Sequence, residues 1–168
     1  MEFIEKYLKP KEYLDSVLDI KIEKLKSLGI KAIIADIDDT LLPRLEFRVP
    51  LVTYNWIEKV KESGLKIYLA TNGTRVKRLE RIKESLEING TAFAFKPLPF
   101  AFKGAISSLG VKPNQIAVIG DQILTDIIGG NILEMYTILV KPLSPETSLI
   151  RIPFRLFENL LIKLLKLG

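Results

Sequence analysis

Four short apolar runs limit what this chain can fold into: Ala32-Ile33-Ile34-Ala35, Ile67-Tyr68-Leu69-Ala70, Ile116-Ala117-Val118-Ile119 and Tyr136-Thr137-Ile138-Leu139-Val140. None alternates with polar residues. A strand with one wet face alternates, whereas a strand covered on both faces reads as a continuous apolar run. A weaker run, Ala92-Phe93-Ala94-Phe95, supplies a fifth candidate. The stretches between them are amphipathic. Leu51 to Ser63 ends at Gly64, Val76 to Leu86 is strongly basic, Phe100 to Leu109 ends at Gly110, and Ile123 to Ile128 meets Gly129-Gly130 as an expected helix stop. Strands alternating with helices wind through right-handed crossovers into a parallel sheet. The expected fold is therefore a doubly wound, Rossmann-like α/β domain of about five strands. The 168 residues, without a repeat or low-complexity linker, suit one such domain.

In such sheets a ligand sits beyond the carboxyl ends of the strands. The residues that follow the runs are Asp36-Ile37-Asp38-Asp39-Thr40, then Thr71-Asn72-Gly73, then Lys96-Pro97, then Gly120-Asp121. Acidic groups, hydroxyls and a lysine thus converge on one edge. The chain has no histidine and no cysteine, which excludes a His-based triad, a thiolate nucleophile, disulfides and the usual zinc sites. Chemistry here must run on carboxylates, hydroxyls, amines, backbone amides and a hard metal.

Asp36 and Asp38 lie two apart, so on extended backbone both side chains point the same way. Paired carboxylates beside a hard cation suit phosphoryl transfer, one of them as nucleophile, with Asp121 adding a metal oxygen. Thr71 and the amides of Asn72 and Gly73 are placed to hydrogen-bond phosphate oxygens at the start of the following helix. Lys96 is kept extended by Pro97 and offsets anionic charge. A carboxylic acid of raised pKa replaces histidine as general acid. Taken singly, each group also serves an ordinary turn, cap or solvated surface, and Asp126 suits the start of its helix through the dipole alone. The weight lies in finding them at four strand ends together.

Asp36-x-Asp38-x-Thr40, Thr71, Lys96 and Gly120-Asp121 through Asp126 resemble the four ordered motifs of the haloacid dehalogenase (HAD) superfamily phosphatases, over Lys31 to Val140. The resemblance implies that Asp36 is the nucleophile, forming an aspartyl-phosphate, and that Asp38 protonates the leaving oxygen and then activates water. It implies Mg²⁺ held by the Asp36 carboxylate, the Asp38 carbonyl and Asp121, with Asp126 and Thr40 behind them. Thr71, Asn72 and Lys96 would hold the phosphoryl group. The run Gly120-Asp121-Gln122 to Thr125-Asp126, then Gly129-Gly130-Asn131 and Thr137 to Val140 before a proline, is similar to the YqeG-type subfamily (class IIIA). That subfamily resembles the phosphatidylglycerophosphate phosphatases of phospholipid biosynthesis. Asp39 is a departure, because the subfamily more usually carries Asn there; an extra carboxylate beside the metal would tighten Mg²⁺ binding or slow an anionic substrate.

The spacings leave no room for a cap domain, so the expectation is a single capless domain over 1–168, with a helical extension over about 1–30 and an amphipathic helix over about 149–167. An open site suits a bulky substrate such as a phospholipid headgroup, or a lid from a second subunit. In the carboxyl-terminal helix Arg151, Arg155, Glu158, Asn159, Lys163 and Lys166 recur at helical spacing among Ile, Phe and Leu. That pattern fits an anionic membrane interface, or else packing on the parent domain or a homo-oligomer partner. Phe3, Ile4, Tyr7 and Leu8 permit the same readings. Net charge is +5, favouring anionic partners. Arg75 and Arg78, in the basic helix after Thr71, are candidate substrate contacts; no aromatics interleave with these charges as stacking on nucleic acid needs. The amino terminus lacks an apolar signal core, and no uncharged run approaches the ~20 residues of a spanning helix. The expected location is cytoplasmic, peripheral at the inner face of the membrane. Alternatives are a soluble phosphatase of sugar phosphates, nucleotides or phosphoproteins, and a non-catalytic binding protein on a HAD scaffold.

Overall fold

The computed structural model describes residues 2–92 and 94–167, with side chains from residue 5 onward. Six strands form one parallel sheet in the order β1-β6-β5-β2-β3-β4. They are β1 Glu12–Leu14, β2 Ala32–Ala35, β3 Lys66–Ala70, β4 Asn89–Thr91, β5 Ile116–Gly120 and β6 Tyr136–Val140. The helices are α1 Glu2–Leu8, α2 Ile22–Ser27, α3 Leu51–Glu62, α4 Val76–Leu86, α5 Lys103–Leu109, α6 Ile128–Ile132 and α7 Ile152–Leu164.

Burial explains why the apolar runs do not alternate. Ile33, Ile67, Leu69, Ala117 and Ile119 pack on one side against Trp56, Ile57 and Val60 of α3 and Leu79, Ile82 and Leu86 of α4. Their sequence neighbours Ile34, Tyr68, Ala70, Ile116 and Val118 pack on the other side against Phe102 and Ala105 and Leu109 of α5. Both faces are dry, so both sets of side chains must be apolar. The register pairs Ala35 with Leu69 and with Ile119, which brings the segments beginning at Asp36, Ala70 and Gly120 to one edge.

Three expectations change. There are six strands rather than about five, because Glu12–Leu14 joins β6 at the sheet's far edge, inside a segment that reads as a helical extension. The fourth strand is Asn89–Thr91, not the apolar run beginning at Ala92; Thr91 pairs with Ala70, and Phe93 lies outside the described residues. The Gly129-Gly130 pair does not stop a helix. A wide turn over Ile123–Ile127 continues into α6, which contains both glycines. Their role is close approach: a Cβ on Gly129 would lie 2.5 Å from the buried Phe102 ring, and one on Gly130 would lie 2.6 Å from the Thr137 methyl. The Leu51 and Phe100 segments do stop where Gly64 and Gly110 adopt positive φ.

The carboxyl-terminal helix is packed in the opposite sense to an ordinary amphipathic helix. Glu158 is only 4% exposed, and Leu161 and Leu165 are buried against Ile123, Ile127 and Leu139. Leu156, Phe157, Leu160 and Leu164 face outward. Leu8 of α1 packs beside the same cluster, whereas the side chains of Phe3 and Ile4 lie outside the described residues.

The glycine contacts give a paired test. Gly129→Ala gains about 1 kcal/mol at most in helix propensity but overpacks the Phe102 ring at about 1–3 kcal/mol, so its melting temperature should fall. Gly104→Ala, on α5 with no atom within 4 Å of the added carbon, should raise it. Thermal unfolding of the two variants checks the contrast.

Candidate active site

The chain leaves β2 at Asp36 and turns at once. Asp39 has φ 63°, a left-handed conformation that Asp and Asn tolerate best among residues with a Cβ. Its N–H donates to Leu42 O at 2.9 Å, and the fully buried Leu41 and Leu42 anchor the turn. Asp36 and Asp38 then line one cavity of about 210 Å³ with Arg44, Thr71, Asn72, Gly73, Lys96, Gln122, Thr125, Asp126 and Arg151. Residues from three strand ends thus meet where the register brings them.

Lys96 is the centre of the arrangement. Its ammonium donates to Asp36 Oδ1 at 2.6 Å, Asp126 Oδ1 at 2.7 Å and Ala70 O at 2.7 Å, so all three N–H groups are taken by protein oxygens. The loop that carries it, with a cis Lys96–Pro97 bond, is clamped by Asn72. Asn72 Nδ2 donates to Lys96 O at 3.0 Å and Asn72 Oδ1 accepts from Lys96 N at 2.8 Å. The Asn72 side chain therefore positions Lys96. Gly120 leaves room for Asp126, whose carboxylate would overlap any Cβ there. Thr125 Oγ1 donates to the other oxygen of Asp126 at 3.1 Å.

Asp38 is held differently. Arg78 Nη1 donates to its Oδ1 at 2.8 Å and Thr71 Oγ1 to its Oδ2 at 3.3 Å, while Gly73 N donates to Thr71 Oγ1 at 2.9 Å. Arg78 also donates to Glu46 O at 2.7 Å and Pro43 O at 3.3 Å, tying down the flap between β2 and α3. It is 4% exposed with its guanidinium engaged, so it orients Asp38 rather than reaching outward to a substrate as its position in the basic helix suggests. Arg75 remains exposed at the rim of an adjoining cavity with Thr74 and Arg44. Asp39 faces away from an unbalanced role: Arg44 Nε donates to its Oδ2 at 3.2 Å, and the Ser144 hydroxyl donates to its Oδ1. The charge of the extra carboxylate is thereby neutralised inside the flap.

Asp121, at the end of β5, was expected among these groups; its partner was not. Arg155 of α7 donates through Nη2 to Asp121 Oδ2 at 2.6 Å and through Nη1 to Asp121 O at 3.3 Å. Glu158 accepts from Ile123 N at 2.8 Å and Leu124 N at 2.9 Å, capping the turn that follows. The helical spacing marks Arg155 and Glu158 as polar positions of an amphipathic helix but does not tell which of its polar residues turn inward. What signal there is lies in their spacing: a polar pair three apart shares one helix face, and the rest of that face is apolar.

The site is short of positive charge. Asp36, Asp121 and Asp126 are buried with two cations, Lys96 and Arg155, among them. Burial pushes the Asp36 carboxyl up to about 7, against the pull of Lys96 and with help from Asp126 and Asp121. Burial likewise pushes Asp121 up to about 6, against Arg155. Lys96 is disfavoured as a cation by burial, yet Asp126 and Asp36 hold it protonated above the usual range. Asp121 Oδ1 and Thr40 Oγ1 are buried without a hydrogen-bond partner among the described residues. Among those residues no three acidic side chains are grouped so as to hold a metal ion by themselves, so a hard cation here would need other oxygen ligands beside the carboxylates.

The raised carboxyl values carry a sign. Between the unfolded value near 4 and the folded value near 7, the folded chain holds a proton at Asp36 that the unfolded chain has lost, so stability falls as pH rises. In chelator, the melting temperature should drop between pH 5 and pH 7.5, with a slope of about 1.4 kcal/mol per pH unit for each such group. Asp36→Asn should flatten that drop, as differential scanning calorimetry would show.

Comparison with known proteins bears on what this site is. Residues 94–142 match the HAD-hydrolase-like family model. The Bacillus subtilis protein named "Probable phosphatase YqeG" is 34% identical over 166 residues, 97% of this chain and 94% of that one. Among solved structures, the cobalt-bound deoxy-D-mannose-octulosonate 8-phosphate phosphatase of Haemophilus influenzae aligns with TM-score 0.53 at 15% identity, over 82% of this chain and 90% of that chain. The magnesium-bound HAD-hydrolase YfnB of Bacillus subtilis aligns with TM-score 0.55 at 12% identity, over 71% and 90%. These structures share the fold, and the near full-length relative supplies the family. The chain belongs to the haloacid dehalogenase superfamily as a YqeG-type phosphatase, a phosphoric monoester hydrolase.

Proposed function

We propose that this phosphatase is a capless, Mg²⁺-dependent enzyme that works through an aspartyl-phosphate on the monoester phosphate of a phospholipid headgroup, with phosphatidylglycerophosphate as its substrate. The observation behind the chemistry is the buried Asp36, fixed through one oxygen by Lys96 at 2.6 Å and facing the same cavity as Asp38. A carboxylate oxygen of Asp36 attacks phosphorus and the ester P–O bond breaks; the departing alkoxide takes a proton from Asp38. Asp38 then takes a proton from water, whose oxygen attacks phosphorus and breaks the bond to Asp36, releasing phosphate and restoring the carboxylate. Arg78 and Thr71 orient Asp38 for both transfers. Lys96, with its N–H groups committed to protein oxygens, acts on the phosphoryl group through its charge and through the orientation of Asp36.

Asp36, the Asp38 carbonyl and Asp121 would hold Mg²⁺, which when bound supplies positive charge to the phosphoryl oxygens. The shortage of cations and the unpartnered Asp121 Oδ1 support this reading.

The lipid reading rests on what borders the cavity. Leu45, beside Arg44, is 66% exposed; Leu98 and Phe100, just beyond Lys96, are 48% and 54% exposed; Leu149 and Ile150, just before Arg151, are 84% and 81% exposed. Apolar side chains thus project from three separate segments that line the site, and the outward face of α7 extends them with Phe157, Leu160 and Leu164, flanked by Lys163 and Lys166. Exposed apolar side chains accompanied by lysines suit the interface of an anionic bilayer. No helix among the described residues is long and apolar enough to cross a membrane, so the contact would be peripheral.

The test is phosphate release in Mg²⁺ from micellar phosphatidylglycerophosphate against sugar phosphates, nucleotides and phosphopeptides. The expected result is at least a tenfold higher kcat/KM for the lipid, with Asp36→Asn reduced on the order of 10³-fold or more. Flotation with anionic vesicles at low salt should carry the protein upward. Activity confined to soluble esters would overturn the lipid reading and keep the chemistry; a lone stable dimer without vesicle binding would assign the apolar face to a second copy. Silence on every phosphate ester would return the binding-protein alternative.

A further inference from the structure

The four strand-end motifs do not account for the carboxyl-terminal helix, yet side chains of α7 reach the segment that begins at Asp121. Two residues of one face do so. Arg155 grips Asp121 at its carboxylate and its carbonyl, and Glu158 accepts from the backbone amides of Ile123 and Leu124. The Arg155 side chain is 15% exposed and that of Asp121 1%, so the pair is screened little by solvent. A guanidinium suits this task because its planar fork presents N–H groups in fixed directions, so it can hold a carboxylate oxygen and a carbonyl oxygen in one geometry. The contact uses Oδ2 alone. Oδ1 of the same carboxylate is buried and has no hydrogen-bond partner among the described residues.

From this division of the two oxygens we propose that Arg155 is a positioning residue for the divalent cation: it pins Asp121 through Oδ2 and the main chain, leaving Oδ1 presented as the ligand oxygen. The inference rests on Asp121 being a metal ligand, and it makes α7 part of the metal site rather than a covering helix. Glu158 holds the same turn from the other end, so the strand-end carboxylate cannot swing without α7 moving. Carboxylates and cations placed behind a ligand commonly govern metal affinity by 10–100-fold.

The experiment is Mn²⁺ titration of the full chain followed by electron paramagnetic resonance of the free ion, which reads binding without turnover. Arg155→Gln should raise the Mn²⁺ Kd about tenfold or more. Leu161→Ala, which removes buried packing against Ile123, Ile127 and Leu139 but keeps the side chains of Arg155 and Glu158, should lower the melting temperature and leave the Kd within about twofold. An unchanged or lowered Kd in Arg155→Gln would overturn the proposal, as would an equal rise in Leu161→Ala. Should Arg155→Gln fail to fold, Arg155→Lys carries the test: it keeps charge but not the fork, and a Kd equal to that of the unsubstituted protein would overturn the proposal. Asp121→Asn separates the two readings. If it binds Mn²⁺ as tightly as the unsubstituted protein, Asp121 is no ligand and the metal reading itself falls.

Discussion

The Lys96 ammonium is the interaction on which the rest of the site depends. A buried charge is tolerated only when paired and fully hydrogen-bonded, and this one meets Asp36, Asp126 and Ala70 O with nothing left over. Those three oxygens come from the end of β2, the helix after β5 and the end of β3. One nitrogen therefore ties together elements far apart in sequence, and each must accommodate it. Gly120 has no side chain because Asp126 occupies that space. Asn72 spends its amide on both backbone groups of Lys96, fixing the loop from which the side chain departs. Removing any one of these would leave a charge or an amide unsatisfied in a dry place, a loss that grows with burial.

The parallel sheet is what makes such a meeting possible. Strands run the same way, so their carboxyl ends share an edge, and the pairing of Ala35 with both Leu69 and Ile119 sets which residues share it. The turn at Asp39, with positive φ, sends the chain into a flap that returns Arg44 to Asp39, while Arg78 pins the flap carbonyls of Pro43 and Glu46. The flap is thus fastened in part through Arg78, which also pairs with the Asp38 carboxylate that lines the cavity. Opening it at Arg78 and disturbing Asp38 are one event.

How far all this could be read from the residues depends on whether a feature is paid in local chemistry or in distant packing. The four central strands were legible because burial on both faces leaves a continuous apolar run, and the groups after Ala35, Ala70 and Ile119 were legible because the sheet topology sends them to one edge. Glu12–Leu14 and Asn89–Thr91 were not. They are edge strands of three residues, stabilised by a single partner each, and nothing in Glu-Tyr-Leu or Asn-Gly-Thr demands a strand. Gly129-Gly130 carries the same signal as a helix stop, and only the Phe102 ring and the Thr137 methyl reveal why side chains are missing there. Arg78 and Arg155 looked like surface charges because a basic residue on a helix normally is one; that each has a buried carboxylate partner is a fact of tertiary approach.

Charge, counted by neighbourhood, links the two halves of the molecule. The flap is balanced, with Asp38 against Arg78 and Asp39 against Arg44. The interior is not: Asp36, Asp121 and Asp126 face Lys96 and Arg155, and the unpaired remainder is the reason burial can lift Asp36 to about 7. Left alone, this interior repels a phosphate dianion. On the proposed function, a divalent cation held by Asp36 and Asp121 would supply the missing positive charge and favour the ionised form of Asp36. Arg155 contributes one of the two interior cations, and it is delivered by α7, the helix whose apolar side faces outward. Arg155, which pairs with a buried carboxylate, and the exposed apolar residues Leu156, Phe157, Leu160 and Leu164 are therefore carried by one helix, so the charge balance of the interior and the apolar surface of α7 are set by the same element.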